Sequence, residues 1–272
     1  MNDSRSPLVD THCHLTWESF DADLGEVVER MKAADVAQAV VVATDPATAR
    51  RAREIARSYD GLFAAAGVHP NDVGEDWKAH VAEVVDLLDE GGFVAVGETG
   101  LDDYRDSVPP HRQRSSFDAH ARLARERDLP LIVHIRDRDG RQAAYDDVGE
   151  IIERYPGVRG VIHCYTGDAA HAERYRAAGF YISFSGILTF PSGGNVREVA
   201  AITPLDRVLV ETDAPFLAPS QWRGKRNEPA YVAETARVLA ELLDRPEEEV
   251  RRVTTENARR LFRLPASGES SS

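Results

Sequence analysis

Asp10-Thr11-His12-Cys13-His14 closes a short apolar run that begins at Leu8. Successive side chains of a β-strand point to opposite faces, so a strand here would aim His12 and His14 in one direction and Cys13 in the other. Two imidazoles on one face, two residues apart, form half of a metal site. The stretch therefore predicts a strand that carries metal ligands at its carboxyl end.

Seven further runs of the same kind follow along the chain, and each is short, apolar and rich in β-branched residues. Together with the first they are Leu8–Leu15, Ala37–Thr44, Leu62–His69, Phe93–Leu101, Leu131–Arg136, Gly160–Tyr165, Phe180–Ser185 and Val208–Asp213. Most are continuously apolar, as expected of strands buried on both faces of a parallel sheet. Charged stretches with helical spacing separate them. The pattern predicts an α/β fold, a (β/α)8 TIM barrel.

An open, doubly wound sheet is the structural alternative. Such a sheet normally has fewer strands, and no glycine-rich phosphate-binding fingerprint opens the first helical stretch here. The length of 272 residues suits one α/β barrel. We therefore expect a single barrel domain over residues 1–265, followed by a disordered, Ser-rich tail over residues 266–272.

Composition and charge exclude several functional classes. The formal net charge is −13, and phosphate backbones repel an acidic protein, which argues against broad non-specific nucleic-acid binding. A small, metal-rich site remains compatible with this charge. No apolar run approaches the ~20 residues that span a bilayer, and the N-terminus lacks the apolar segment of a signal peptide. We expect a cytoplasmic protein with two reduced core thiols, Cys13 and Cys164, that face the helices.

Titratable side chains are concentrated where the predicted strands end, which is where such barrels place functional residues. Five of the nine histidines and two carboxylates occupy these positions. All but His69 form the predicted metal site, whose members are His12, His14, Glu98, His134, His163 and Asp213. Four imidazoles and two carboxylates suffice for two divalent cations if one carboxylate bridges. Glu98 is the predicted bridge, because Gly97 and Gly100 leave room for close approach.

The predicted site suits metal-assisted hydrolysis. Two ions ~4 Å apart polarise a phosphoryl oxygen and lower the pKa of a bound water. Asp213 is placed to hold one ion and to accept a proton from the attacking water. His69 either contacts the reacting group or anchors its loop beside Pro70. The other four histidines lie in polar helical stretches, and we expect them at the surface: His80, His111, His120 and His171.

Two further carboxylates are candidates for supporting roles. Asp10 precedes His12 by two residues, and Glu211 stands in the same relation to Asp213. Ligating imidazoles commonly donate their second N–H to a carboxylate, so both residues are expected behind the ligands. A buried ion pair that stabilises the barrel is an equally good interpretation of each.

With these residues in view, the chain resembles the TatD family of metal-dependent deoxyribonucleases, within the amidohydrolase-like barrels. The resemblance covers nearly the whole chain and rests on seven ordered motifs: DTHCHL at 10–15, GVHP at 67–70, GETGLD at 97–102, HIR at 134–136, HCYTG at 163–167, ETDAPFL at 211–217 and RGKRNEP at 223–229. It implies that the six predicted ligands bind divalent metal. It also implies hydrolysis of nucleic-acid phosphodiesters, with 3′→5′ exonuclease action. The chain departs from the family at Tyr165, often Phe, and at Ala214-Pro215-Phe216, where Ser-Pro-Tyr is common. Neither departure is expected to touch a ligand.

Several residues are candidates for substrate binding. Arg136 shares the face of His134 and can fork onto a phosphate oxygen. Arg223, Lys225 and Arg226 form a dense basic cluster after the last strand, which binds substrate or is simply solvated. Exposed aromatic side chains stack on unpaired bases, and the predicted rim aromatics are Tyr104, Tyr165, Phe190 and Trp222. The alternative, which is the commoner case for each residue alone, is that the ring packs its own loop.

Three functions compete. The leading one is a metal-dependent nuclease, a monomer that acts on single-stranded DNA or RNA ends with Mg²⁺, Mn²⁺ or Zn²⁺. The second is an amidohydrolase or deacylase on the same metal site, such as a D-aminoacyl-tRNA deacylase. The third is a barrel that only binds a partner, which the complete set of six predicted ligands argues against.

Overall fold

Eight parallel strands and nine helices make up the part of the chain that the computed structural model describes, residues 5–266 without 106 and 139. The predicted tail falls outside it, apart from residue 266. The strands are β1 (Leu8–Cys13), β2 (Val36–Val42), β3 (Leu62–Ala66), β4 (Phe93–Asp102), β5 (Leu131–Arg136), β6 (Gly160–Ile162), β7 (Phe180–Phe184) and β8 (Val208–Val210). The helices are α1 (Leu24–Ala33), α2 (Pro46–Ser58), α3 (Trp77–Glu90), α4 (Pro110–Arg127), α5 (Ala143–Glu153), α6 (Ala169–Ala177), α7 (Gly194–Ile202), α8 (Val232–Leu242) and α9 (Glu247–Phe262).

The strands pair in sequence order from β1 to β8, and backbone hydrogen bonds then join the two ends of the sheet. The amide of Asp213 donates to the carbonyl of His12 at 2.9 Å, and the amide of His14 donates to the carbonyl of Ala214 at 2.7 Å. The sheet is thereby closed, and the prediction of a (β/α)8 barrel is confirmed.

Apolar side chains fill the barrel interior, and α9 closes its lower end. Val9, Ile132 and Leu209 belong to the interior cluster, together with Leu261 and Phe262 of α9. Polar contacts hold α9 at the amino ends of the strands: Thr255 donates to the Pro7 carbonyl, and Asn257 donates to the Val208 carbonyl. A floor at this end leaves the carboxyl ends of the strands as the open face.

Several strands are shorter than the sequence predicts. β1 ends at Cys13, β3 at Ala66, β6 at Ile162 and β8 at Val210. Cys164 and Asp213 adopt φ values of +44° and +59°, in the left-handed region, where an extended strand cannot continue. Three of the six predicted ligands, His14, His163 and Asp213, therefore lie just after a strand rather than in one.

Bulges in β1 and β4 break the two-residue alternation of side chains. Asp10 pairs with Ala39 and Cys13 with Val41, so three steps on β1 match two on β2. Val96 pairs with Leu131 and Thr99 with Val133, so β4 gains one residue on β5 in the same way. Each extra residue changes which side chains face the axis.

The described residues include no helix that is both long enough and apolar enough to cross a bilayer.

Candidate metal centre

The six predicted metal ligands meet at the open end of the barrel, and all but the fully buried His12 line a cavity of about 600 Å³. Glu98, only 2% exposed, lies at their centre. Its Oε2 atom is 3.4 Å from His12 Nε2 and 3.5 Å from His14 Nε2. Its Oε1 atom is 3.0 Å from His134 Nδ1 and 2.8 Å from His163 Nε2.

Asp213 completes the group on the side of His12 and His14. Its Oδ1 atom is 3.4 Å from His14 Nε2 and 3.8 Å from His12 Nε2. Atoms bound ~2.1 Å from one tetrahedral ion lie about 3.4 Å apart. The spacing of these donors therefore suits a shared cation.

Hydrogen bonds on the outer side of three imidazoles fix the position of their protons. His14 Nδ1 faces the Val42 carbonyl at 3.0 Å, His163 Nδ1 faces Glu211 at 3.2 Å, and His134 Nε2 faces Asp102 at 3.3 Å. Each outer nitrogen donates to its oxygen, so the inner nitrogen of each ring is the one that takes up a proton or binds a cation on the side of Glu98. Lone pairs and a carboxylate repel one another unless a positive charge lies between them, and the donor set therefore fits divalent metal.

The electrostatics of the centre favour positive charge around an ionised Glu98. Burial alone would lower the pKa of His163, but Glu98 and Glu211 outweigh it and raise that pKa well above its ordinary value. Burial alone would raise the pKa of Glu98, but the surrounding imidazoles, His163 foremost, hold it well below its usual range. Glu98 is thus a carboxylate anion surrounded by imidazole nitrogens that can bind a proton or a cation.

His69 lines the same cavity but differs from the other imidazoles in its proton. Its Nδ1 accepts the amide N–H of Asn71 at 3.1 Å, so the Nε2 atom carries the proton and faces Glu98 Oε1 at 3.7 Å. Burial lowers the pKa of His69 to about 3, which keeps the ring neutral. His69 thus anchors its loop with one nitrogen and presents a hydrogen-bond donor to the cavity with the other.

The two predicted supporting carboxylates behave differently. Glu211 contacts His163, as predicted, and also accepts the amide of Cys164 at 2.6 Å. Asp10 touches no imidazole, because the bulge in β1 puts it out of phase with His12. It instead accepts the Thr212 amide at 2.9 Å and meets the Thr212 hydroxyl at 2.6 Å. It thereby fastens β1 to the segment after β8 by hydrogen bonds rather than by an ion pair, and burial raises the pKa of its carboxyl to about 8.

Sequence reasoning overlooked Asp102, which is 1% exposed. Its Oδ2 atom faces His134 Nε2 and accepts the Asn71 side-chain amide at 2.9 Å. Its Oδ1 atom accepts the backbone amides of Tyr104 and Arg105, each at 3.1 Å. A signal was available, because Asp102 ends the strand that carries Glu98 and sits beside the strand that carries His134.

The predicted substrate-binding residues separate into two groups. Arg136 lines the cavity, is exposed, and lies 3.8 Å above the Tyr104 ring. Tyr165 is only 2% exposed and donates to the Asp168 carbonyl, so its ring is not available to a base, contrary to the prediction. Arg223 and Arg226 are outside the cavity lining.

The basic cluster after the last strand is occupied by contacts within the protein. Arg226 forms two hydrogen bonds to Asp23, at 2.8 and 2.7 Å. Arg223 lies 4.3 Å above the Phe190 ring, which is itself 8% exposed. Trp222 stacks on Tyr231 at 3.9 Å. These contacts favour the alternative in which Phe190 and Trp222 pack their loops.

Three other expectations are also corrected. Cys13 packs in the outer core as predicted, but Cys164 lines the cavity, because its positive φ turns it away from the helices. His120 is fully buried rather than exposed, and its ring joins the Val68 amide to the Ser116 carbonyl. Phe216 does contact a predicted ligand, since its ring centre is 6.3 Å from that of His14 in an edge-on arrangement.

Comparison with known proteins agrees with this geometry. A family model described as TatD related DNase matches residues 9–263. The uncharacterized metal-dependent hydrolase YabD of Bacillus subtilis is 43% identical over 94% of this chain and 99% of its own length. The protein named 3'-5' ssDNA/RNA exonuclease TatD from Pectobacterium carotovorum is 34% identical over 94% of this chain and 100% of its own.

A solved structure also matches along the whole barrel. The TatD homolog YjjV of Escherichia coli K12 superposes with a TM-score of 0.88 at 32% identity, over 95% of this chain and 98% of that one. With a family model over nearly all described residues and relatives above 30% identity along their full length, the chain belongs to the TatD family of metal-dependent hydrolases.

Proposed function

We propose that this protein is a divalent-metal-dependent phosphodiesterase that removes nucleotides from the 3′ end of single-stranded DNA or RNA. The observation that carries the proposal is the two-sided setting of Glu98, with His12 and His14 on one oxygen and His134 and His163 on the other. The relatives named 3'-5' ssDNA/RNA exonuclease, 33–34% identical, support the substrate class and the direction.

Divalent cations would be held by His12, His14, Glu98, His134, His163 and Asp213. Bound there, they would polarise a phosphoryl oxygen and lower the pKa of an attacking water. Imidazole-rich ligation favours Zn²⁺ or Mn²⁺ over Mg²⁺.

The proposed roles of the protein groups follow from their positions. Burial alone would raise the pKa of Asp213, but its hydrogen bond to His14 and the charge of His12 hold it below its ordinary value. The carboxylate is therefore ionised and can accept a proton from the attacking water. His69 would donate its Nε2 proton to a phosphoryl or leaving oxygen, and Arg136 would hold a phosphate at the cavity wall.

The test is hydrolysis of a 5′-labelled single-stranded oligonucleotide by protein that has been stripped of metal and reloaded with Mg²⁺, Mn²⁺ or Zn²⁺. We expect a ladder that shortens from the 3′ end, roughly 100-fold slower in Glu98→Gln, because one carboxylate oxygen is replaced by an NH2 group that cannot bind a cation. Glu150→Gln is the matched control, because Glu150 is exposed on α5.

Two results would contradict the proposal in different ways. Full activity of Glu98→Gln would remove Glu98 from the reaction. Inertness toward DNA and RNA with every metal, alongside rapid turnover of a D-aminoacyl-tRNA, would replace the nuclease with a deacylase on the same centre.

A further inference from the structure

Exposed aromatic side chains mark one wall of the cavity. In the part of the chain that the structure describes, four large hydrophobic side chains are exposed: Trp17 (46%), Tyr104 (49%), Ile202 (60%) and Phe216 (42%). Trp17 and Phe216 both line the cavity of the metal centre. Their ring centres are 5.0 Å apart at an interplanar angle of 89°. Exposed apolar surface beside a predicted metal centre indicates a site that binds a ligand.

Two matching turns fix this pair relative to the predicted metal ligands. The amide of Trp17 donates to the carbonyl of His14 at 3.2 Å, and the amide of Phe216 donates to the carbonyl of Asp213 at 2.9 Å. Each ring therefore stands three residues after a predicted ligand. The Asn227 side chain donates to the Phe216 carbonyl at 2.6 Å, so the second turn is also held from outside. The backbone hydrogen bonds of the two turns therefore hold both rings in their exposed positions.

The opposite wall carries positive charge. Arg136 ends β5 and Arg105 follows β4, and both exposed side chains line the cavity. In a closed barrel with strand order β1 to β8, the β4–β5 pair lies across the axis from the β8–β1 pair that carries the aromatic wall. The metal centre thus lies between two flat apolar rings and two guanidinium groups.

We infer that Trp17 and Phe216 form a subsite for one unpaired nucleobase next to the scissile phosphate, while Arg105 and Arg136 hold the neighbouring phosphate. The inference rests on the proposed nucleic-acid substrate and adds how that substrate is recognised. Every nucleobase has a face that stacks on an aromatic ring, so such a subsite is tolerant of sequence. A base inside a duplex has no free face, so the subsite selects single strands.

The test compares binding of a labelled oligothymidylate with binding of the same strand carrying an abasic residue at its 3′ end. Glu98→Gln protein is used, so that hydrolysis does not interfere. Adding Trp17→Ala should weaken binding of the intact strand roughly 5- to 150-fold and leave the abasic strand unaffected. Trp17→Phe should restore most of the affinity. Ile202→Ala removes an exposed apolar side chain outside the cavity and should change nothing.

Kinetics of the otherwise unaltered enzyme give a second readout. Trp17→Ala should raise KM for the oligonucleotide more than it lowers kcat, because the base is bound before and during the reaction. Equal affinity of the Trp17→Ala and parent proteins, or an equal loss on the abasic strand, would overturn the inference while leaving the nuclease proposal in place. Trp17-dependent binding without cleavage by the unaltered enzyme would support the subsite and contradict the nuclease.

Discussion

Single carboxylates behind the centre control the orientation of the imidazoles in front of it. Asp102 is the clearest case, since one oxygen faces His134 and the other holds the amides of Tyr104 and Arg105. Asp102 therefore orients both the predicted ligand His134 and the backbone of Arg105, which lines the positively charged wall of the cavity. Residues of this kind bind no ion themselves but decide how well their neighbours do.

Asp102→Asn should weaken divalent-metal binding by about 10- to 100-fold, because the neutral amide holds the His134 N–H less strongly. The binding constant can be measured by competition with a fluorescent chelator, and circular dichroism checks that the barrel is intact. Asp103→Asn is the matched control, since it removes the same charge one residue away and outside the cavity lining. An equal effect of both substitutions would point to bulk charge rather than to the His134 contact.

Among the strands, β4 matters most for the site because it carries Glu98 between two glycines that approach β5 closely. A Cβ atom on Gly97 would lie 2.6 Å from the Ile132 carbonyl oxygen, and one on Gly100 would overlap the His134 carbonyl. Gly100 also has a φ of +139°, which other residues rarely adopt. The bulge and the glycines together bring Glu98 to the axis.

Gly100→Ala should therefore lower the free energy of unfolding by about 1–3 kcal/mol, and it should weaken metal binding because His134 moves with its strand. Urea denaturation measures the first effect and metal titration the second. Gly91→Ala is the control, since Gly91 has a φ of +81° with nothing within 4 Å of the added carbon. Gly91→Ala carries the strain of a positive φ without a steric clash. The loss of unfolding free energy in Gly100→Ala beyond that in Gly91→Ala therefore measures the clash with β5. Equal losses of unfolding free energy in the two variants would mean that β4 and β5 can move apart without an energetic penalty.

The strands and the six clustered residues could be predicted from the sequence because apolar runs and polar strand ends leave a periodic signal. The assignments that failed depend on local backbone geometry that has no such signal. The two-residue alternation of a regular strand predicts Asp10 behind His12, and the bulge in β1 breaks that alternation. The same alternation predicts Cys164 among the helices, although the chain has already left the strand. The polar composition of α4 predicts a solvated His120, yet the buried face of this helix includes His120 beside Phe117 and Ala121.

Across the whole molecule, the predicted ligands lie at the ends of β1, β4, β5, β6 and β8. A cation bound to them would therefore link strands from all around the closed barrel. Cation binding at this centre should stabilise the barrel as a unit. With free metal at 100 times its dissociation constant, the gain is about 2.7 kcal/mol, which calorimetry should register as a rise in Tm of several degrees over the chelated protein. Glu98→Gln should lose most of this rise, and an equal rise in that variant would show that the ions stabilise the protein elsewhere.

The seam between the first and last strands also affects how the protein is made. Asp10 and its partner Thr212 are 202 positions apart, and α9, which closes the floor, follows still later. At about 5–20 residues per second, a ribosome finishes β1 roughly 10–40 s before the segment that must pair with it. During that interval β1 has one unpaired edge, which invites association with other chains. A chain that is released before β8 carries His12 and His14 without Asp213, and it is a substrate for chaperones and proteases rather than an enzyme.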